Sequence, residues 1–154
     1  MSSGKTQSRM LYGELRIVLP EEWENRTVYT FTAPGSEGEM MPGVPLKQSV
    51  TVMKMDLPPG SSLEKMAHGL FASSANAQLK IVEIKPPHSC LVGGRNAWQR
   101  HSSLESTMTR FEQIQCLIEV RQKLFLFTLL GKSPLSDDRA AWFEQFLLEL
   151  KFAE

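Results

Sequence analysis

The sequence predicts an α+β domain, an antiparallel sheet with helices segregated against it. Three observations predict it. Apolar residues alternate with a period of two along most of the chain, as half-buried strands require. Only two stretches, 61–78 and 138–152, carry apolar residues at helical spacing. The strands are mostly joined by short turns, as antiparallel neighbours allow. The predicted order is β-β-β-α-β-β-β-β-α, seven strands and two helices.

Composition bounds the rest. The chain has 154 residues, 42% hydrophobic and 22% charged, which suits one domain with a real core over residues 10–154. Residues 1–9 are polar and Ser-rich and read as a flexible tail. They lack the apolar core of a secretory signal and any lipidated-cysteine pattern, so the compartment implied is cytoplasmic. Seventeen basic and 17 acidic residues cancel without a basic patch, which argues against nucleic acid as a partner.

The longest apolar-rich run is 107–131. Its first half alternates Ile114, Cys116, Ile118 and Val120 against Phe111, Gln113, Gln115, Leu117 and Glu119. Val120-Arg121-Gln122-Lys123 is polar enough to turn. Residues 124–130 (LFLFTLL) then read as a central strand covered on both faces. Charges at Arg110, Glu112, Glu119, Arg121 and Lys123 exclude a membrane span and any stable membrane insertion. This hairpin is the expected middle of the sheet.

The remaining elements follow in order. Residues 11–19 (LYGELRIVL) alternate as a first strand, and Trp23 after Pro20 is expected to plug the end of the core. Residues 26–33 form a second strand, with Tyr29 and Phe31 on one face and Val28, Thr30 and Thr32 on the other. Residues 34–45 hold three Pro and three Gly and read as a loop. Residues 46–55 form a third strand, Thr51, Met53 and Met55 sharing a face opposite Val50 and Val52. Ser61 with Glu64 resembles a capping box for a helix to about Gln78. A fourth strand, 79–85, is closed by Pro86-Pro87, and a fifth covers 96–104. Ser136-Asp137-Asp138 caps the last helix, whose stripe is Trp142, Phe143, Phe146, Leu147 and Leu150.

Catalytic signatures are missing. Gly131-Lys132-Ser133 imitates the end of a phosphate loop, but Leu126 stands where that motif needs Gly, and Pro134 blocks the helix. His68, His88 and His101 have no Cys, Asp or Glu at ligand spacing. Cys90 and Cys116 lie 26 positions apart in apolar sequence and read as buried thiols. Cys90 near His88 suggests a Cys–His pair only weakly. The residues imply a non-enzymatic binding module without metal or cofactor.

The opening LRIVLPEEWENRTVYTFTAP, the segment LVGGRNAWQRH with Gly94 to Ala97 entering a strand, and the closing hairpin and helix resemble the DcrB-like family. That resemblance implies a PsbP-like α/β/α sandwich. One cytoplasmic branch, the Eag proteins, chaperones effectors of the type VI secretion system. These proteins are homodimers that shield the N-terminal transmembrane region of an effector in a concave apolar groove. Carried onto this chain, the resemblance places Val28 and Thr30 in the groove and Gln115, with Gln113 beside it, as the amide that bonds the client. Thr30 is less apolar than the branch pattern. Thr51, Met53, Met55 and Leu117 share that side by alternation, and methionines suit varied apolar partners. The alternative is a PsbP-like adaptor that docks a folded protein through residues 34–45.

Overall fold

The computed structural model describes residues 4–11, 13–23, 27–35, 37–41, 43–72, 80–107 and 109–153. The fold is α+β. Its elements are β1 (Thr6–Leu11), β2 (Leu15–Pro20), β3 (Val28–Thr32), β4 (Glu39–Met41), β5 (Val44–Pro45), β6 (Ser49–Asp56), α1 (Leu63–Ala72), β7 (Lys80–Val92), β8 (Arg95–Glu105), β9 (Arg110–Val120), β10 (Lys123–Lys132) and α2 (Asp137–Leu148). Six strands make one antiparallel sheet in the order β3-β6-β10-β9-β8-β7.

The central hairpin is β9–β10, as the alternation predicts. Arg121 and Gln122 form its two-residue turn, with φ of 51° and 65°. Positive φ at both positions matches the twist of a tight hairpin, although neither residue is Gly or Asn. Gly93 and Gly94 make the equivalent β7–β8 turn at φ of 58° and 80°, where the missing Cβ removes the strain.

The two faces of the sheet have separate cores. On one, Phe143 and Leu147 of α2 pack with Val50, Ala97, Cys116, Ile118, Val120, Phe127 and Leu129. On the other, Leu63, Ala67 and Phe71 of α1 pack with Leu117, Leu124 and Leu126. The pattern follows from period two: Cys116 and Ile118 point to α2, and Leu117 between them points to α1.

Helix α2 starts where predicted. The Arg139 backbone N–H donates to Ser136 Oγ at 3.1 Å, with Asp137 and Asp138 in the first turn. For α1 the cap falls one residue later than expected: Lys65 N–H donates to Ser62 Oγ at 3.2 Å. The helix is described to Ala72, so the predicted extension to Gln78 lies outside the described residues.

Several expectations are corrected. Part of the expected tail is strand β1, paired residue for residue with β2 from Thr6↔Pro20 to Leu11↔Leu15. Its sequence, TQSRML, is too polar to announce a strand; Gln7 holds it by donating to the carbonyls of Pro20 (3.0 Å) and Trp23 (2.7 Å). The single strand expected over 11–19 is therefore the turn and second arm of a hairpin outside the main sheet. Trp23 plugs nothing: it is 58% exposed. The stretch 34–45 contains the small β4–β5 hairpin rather than only loop. Glu37 ties it down, accepting from the Lys132 backbone N–H at 2.9 Å and from the Gln48 amide. Pro86-Pro87 does not end the fourth strand; β7 continues to Val92. As an edge strand it tolerates prolines, with register breaks between Glu83 and Lys85 and between Lys85 and His88.

Candidate functional site

Over its described residues, helix α1 covers only part of its face of the sheet. Its ten described residues lie over β7, β8 and β9 and pack on Leu124 and Leu126 of β10. Beyond it, among the described residues, that face grows more exposed across β6 to β3. Register defines what is displayed there. One row runs Val28, Met53, Leu126, Leu117 and Trp98; the next runs Thr30, Thr51, Thr128, Gln115 and Arg100.

Along the first row exposure falls toward α1. Val28 is 48% exposed, Met53 is half-buried, Leu126 is buried and Leu117 is fully buried. Met55 is half-buried and packs on the α1 core together with Met53, Leu57, Met66 and Leu70. The result is a shelf, aliphatic and methionine-rich, with its outer lip on edge strand β3. Along the second row Thr30 is exposed, and Thr51, Thr128 and Gln115 are half-buried.

Of the eight residues predicted to line the site, six share this open surface: Val28, Thr30, Thr51, Met53, Met55 and Gln115. Leu117 faces the same way but lies under α1 at 0% exposure, in the floor rather than on the open surface. Gln113 is withdrawn too. It is 8% exposed, and its amide donates to Ser102 Oγ at 3.1 Å. The Gln115 amide makes no hydrogen bond to a described residue. The alternation could not separate the two glutamines, because what separates them is how far α1 and β8 reach.

Two residues of the site escaped the sequence reading. Thr128 fills the gap between Thr51 and Gln115; as the one polar residue of LFLFTLL it was the available signal that this stretch is not wholly covered. Arg100 closes the row at the α1 end. It is 3% exposed, pairs with Glu83 at 2.6 Å, and donates to the Phe71 carbonyl at 2.8 Å. This contact anchors the last described turn of α1 to the sheet. The inner border of the shelf thus depends on Arg100.

Burial raises the Cys116 thiol to about 12 and pushes Cys90 upward as well, so neither is poised as a thiolate. No group of three or more His, Cys, Asp or Glu among the described residues is placed to hold a metal ion. His88 bonds the Pro86 carbonyl at 2.9 Å rather than Cys90, and His101 bonds Glu112 at 2.8 Å. No helix of the described residues is long and apolar enough to cross a membrane.

The DcrB family model matches residues 14–149, nearly the whole chain. This protein belongs to the DcrB family. No curated protein matches the DcrB chain at the sequence level. Its fold is similar to that of PA94 from Pseudomonas aeruginosa, described as a protein of unknown function and candidate regulator. That match has a TM-score of 0.67 and 13% identity over 98% of this chain and 99% of that one. LpqN of Mycobacterium tuberculosis, described as involved in cell envelope biogenesis, matches at a TM-score of 0.53 and 9% identity, covering 81% of each chain. PsbP of Synechocystis sp. PCC 6803 aligns at a TM-score of 0.46 and 11% identity over 92% of this chain and 86% of its own. At these identities the fold alone is what PA94 and LpqN share with the DcrB chain.

Proposed function

We propose that this DcrB-family protein is a cytoplasmic, non-enzymatic chaperone of the Eag type. It shields apolar transmembrane helices near the N-terminus of a type VI secretion effector, as a homodimer. The observation that carries the reading is the uncovered shelf on the α1 face. It joins an exposed aliphatic lip at Val28, half-buried methionines at Met53 and Met55, and a half-buried Gln115 whose amide has no hydrogen-bond partner among the described residues. A transmembrane helix in water needs an apolar cover. Where its residues are small its backbone carbonyls are approachable, and a glutamine amide can donate to one. Methionine side chains adapt to clients of different shape.

The experiment is co-expression with the N-terminal apolar segment of an effector encoded beside this protein. Val28→Asp places a charge where the client would be buried, and should reduce co-purification by about 100-fold or more. Removing residues 39–45 while keeping Glu37 and Leu46 should leave binding intact. Full binding by Val28→Asp together with loss in the deletion would reject the shelf and favour the adaptor that docks a folded protein through residues 34–45.

A further inference from the structure

The α2 face of the sheet, opposite the shelf, carries a recess of its own. It opens between β3, β6, β10 and α2 with a volume of about 470 Å³, a size usual for small-molecule sites. Phe31, Val50, Leu129, Trp142 and Phe146 give it an apolar lining. Phe31 is 64% exposed and Trp142 44% exposed, so the recess is open along that side.

A single charged residue lines it. Arg139 is half-buried, and its guanidinium lies over the Trp142 ring at 5.1 Å. It makes no ion pair with a described residue, and no carboxylate lines the recess among the described residues. A guanidinium stacked by its face keeps the N–H donors at its edge, in a fork that matches a carboxylate. Arg139, Trp142 and Phe146 stand at i, i+3 and i+7, along one face of α2. The cation is therefore at one end, and the rings run from it for about 10 Å. The sheet is polar at the same end. Ser49 opens β6 opposite Leu130, near the end of β10 from which the chain runs into α2.

We propose that this recess binds a medium-chain fatty acid. The carboxylate sits on Arg139, and the alkyl chain lies along Trp142 and Phe146 over Val50 and Leu129. Charge selects the head group, because the lining holds one cation and no anion to offset it. Length selects the tail. Two helical turns of apolar wall take an extended chain, whereas a compact anion such as inorganic phosphate would leave that wall in water. A ligand of this kind leaves the shelf untouched, since the sheet stands between the two surfaces.

Titration calorimetry on the full chain, with no client present, tests the recess apart from the shelf. Decanoate should bind saturably at one site. Decanol should bind about tenfold or more weakly, and decyltrimethylammonium more weakly still. From hexanoate to octanoate to decanoate, affinity should rise by about fourfold per methylene. Arg139→Gln should weaken decanoate by about tenfold or more while leaving decanol within about twofold. Phe31→Glu, a change at an exposed position, should weaken decanoate more than decanol. Val28→Asp should leave decanoate binding unchanged. The comparison of head groups on the wild-type chain needs no variant to fold. Decanol binding as tightly as decanoate, indifference to Arg139→Gln, or loss of decanoate with Val28→Asp would overturn the site. So would the lack of any saturable binding, the result expected if a second copy of the chain fills the recess.

Discussion

Gln113 and Gln115 are two residues apart on one strand and point the same way, yet they should behave as different kinds of residue. Gln113 is buried and bonded to Ser102, so Gln113→Ala leaves a buried hydroxyl without its donor. It should lower unfolding free energy by about 1–2 kcal/mol in urea and affect client binding little. Gln115 is half-buried with its amide open, so Gln115→Ala should leave stability within about 0.5 kcal/mol. Client affinity should fall by about 3- to 10-fold, one hydrogen bond. Titration calorimetry with a client peptide beside urea melts of both variants checks the pair. Cys116 gives a pH signature. Burial raises its thiol to about 12 from 9.0, so the folded state holds a proton that the unfolded chain releases earlier. That contribution is complete below about pH 9 and is lost as pH rises toward 12. The stability difference between wild type and Cys116→Ala should therefore shift against the wild type between pH 8 and pH 10.5, and a flat difference would contradict the burial of the thiol.

At the scale of elements, the anchoring of α1 to the sheet is the feature most exposed to test. Arg100 donates to the Phe71 carbonyl and pairs with Glu83 beneath the helix. Arg100→Ala should cost about 2–3 kcal/mol and loosen α1 selectively, seen as faster amide exchange over residues 63–72 than in β9 and β10. The central hairpin and both helices could be read from the sequence because Cys116, Ile118, Phe127 and Phe143 obey their periods without exception. Other elements could not, for local reasons. Thr6–Leu11 is too polar to show as a strand, and its partner strand is what reveals it. Pro86 and Pro87 read as a stop because sequence does not say that β7 is an edge. Trp23 looked like core because its size suggests burial, but no element lies over it. The site was legible to the same depth. Strand alternation put Val28, Thr30, Thr51, Met53 and Gln115 on one side, but how far α1 and β8 cover that side is a tertiary fact. That limit decided the fate of Leu117 and Gln113.

For the whole molecule, the sheet divides the work between its faces. The α2 side holds the larger core, and the α1 side holds a smaller core and the open shelf. Val28 belongs to the shelf and to neither core, so Val28→Asp should leave the melting temperature within about 2 °C of wild type while client binding is lost. A thermal melt run beside the co-purification assay checks that separation. The two borders of the sheet differ in a way that bears on assembly. At β7 the ladder is interrupted twice and carries Pro86 and Pro87, whereas β3 offers an uninterrupted strand. A sheet able to extend at both borders would add copies without limit and grow into fibres. With one border spoiled, any edge-to-edge pairing would end after a single addition, and the sheet has no route to a fibre.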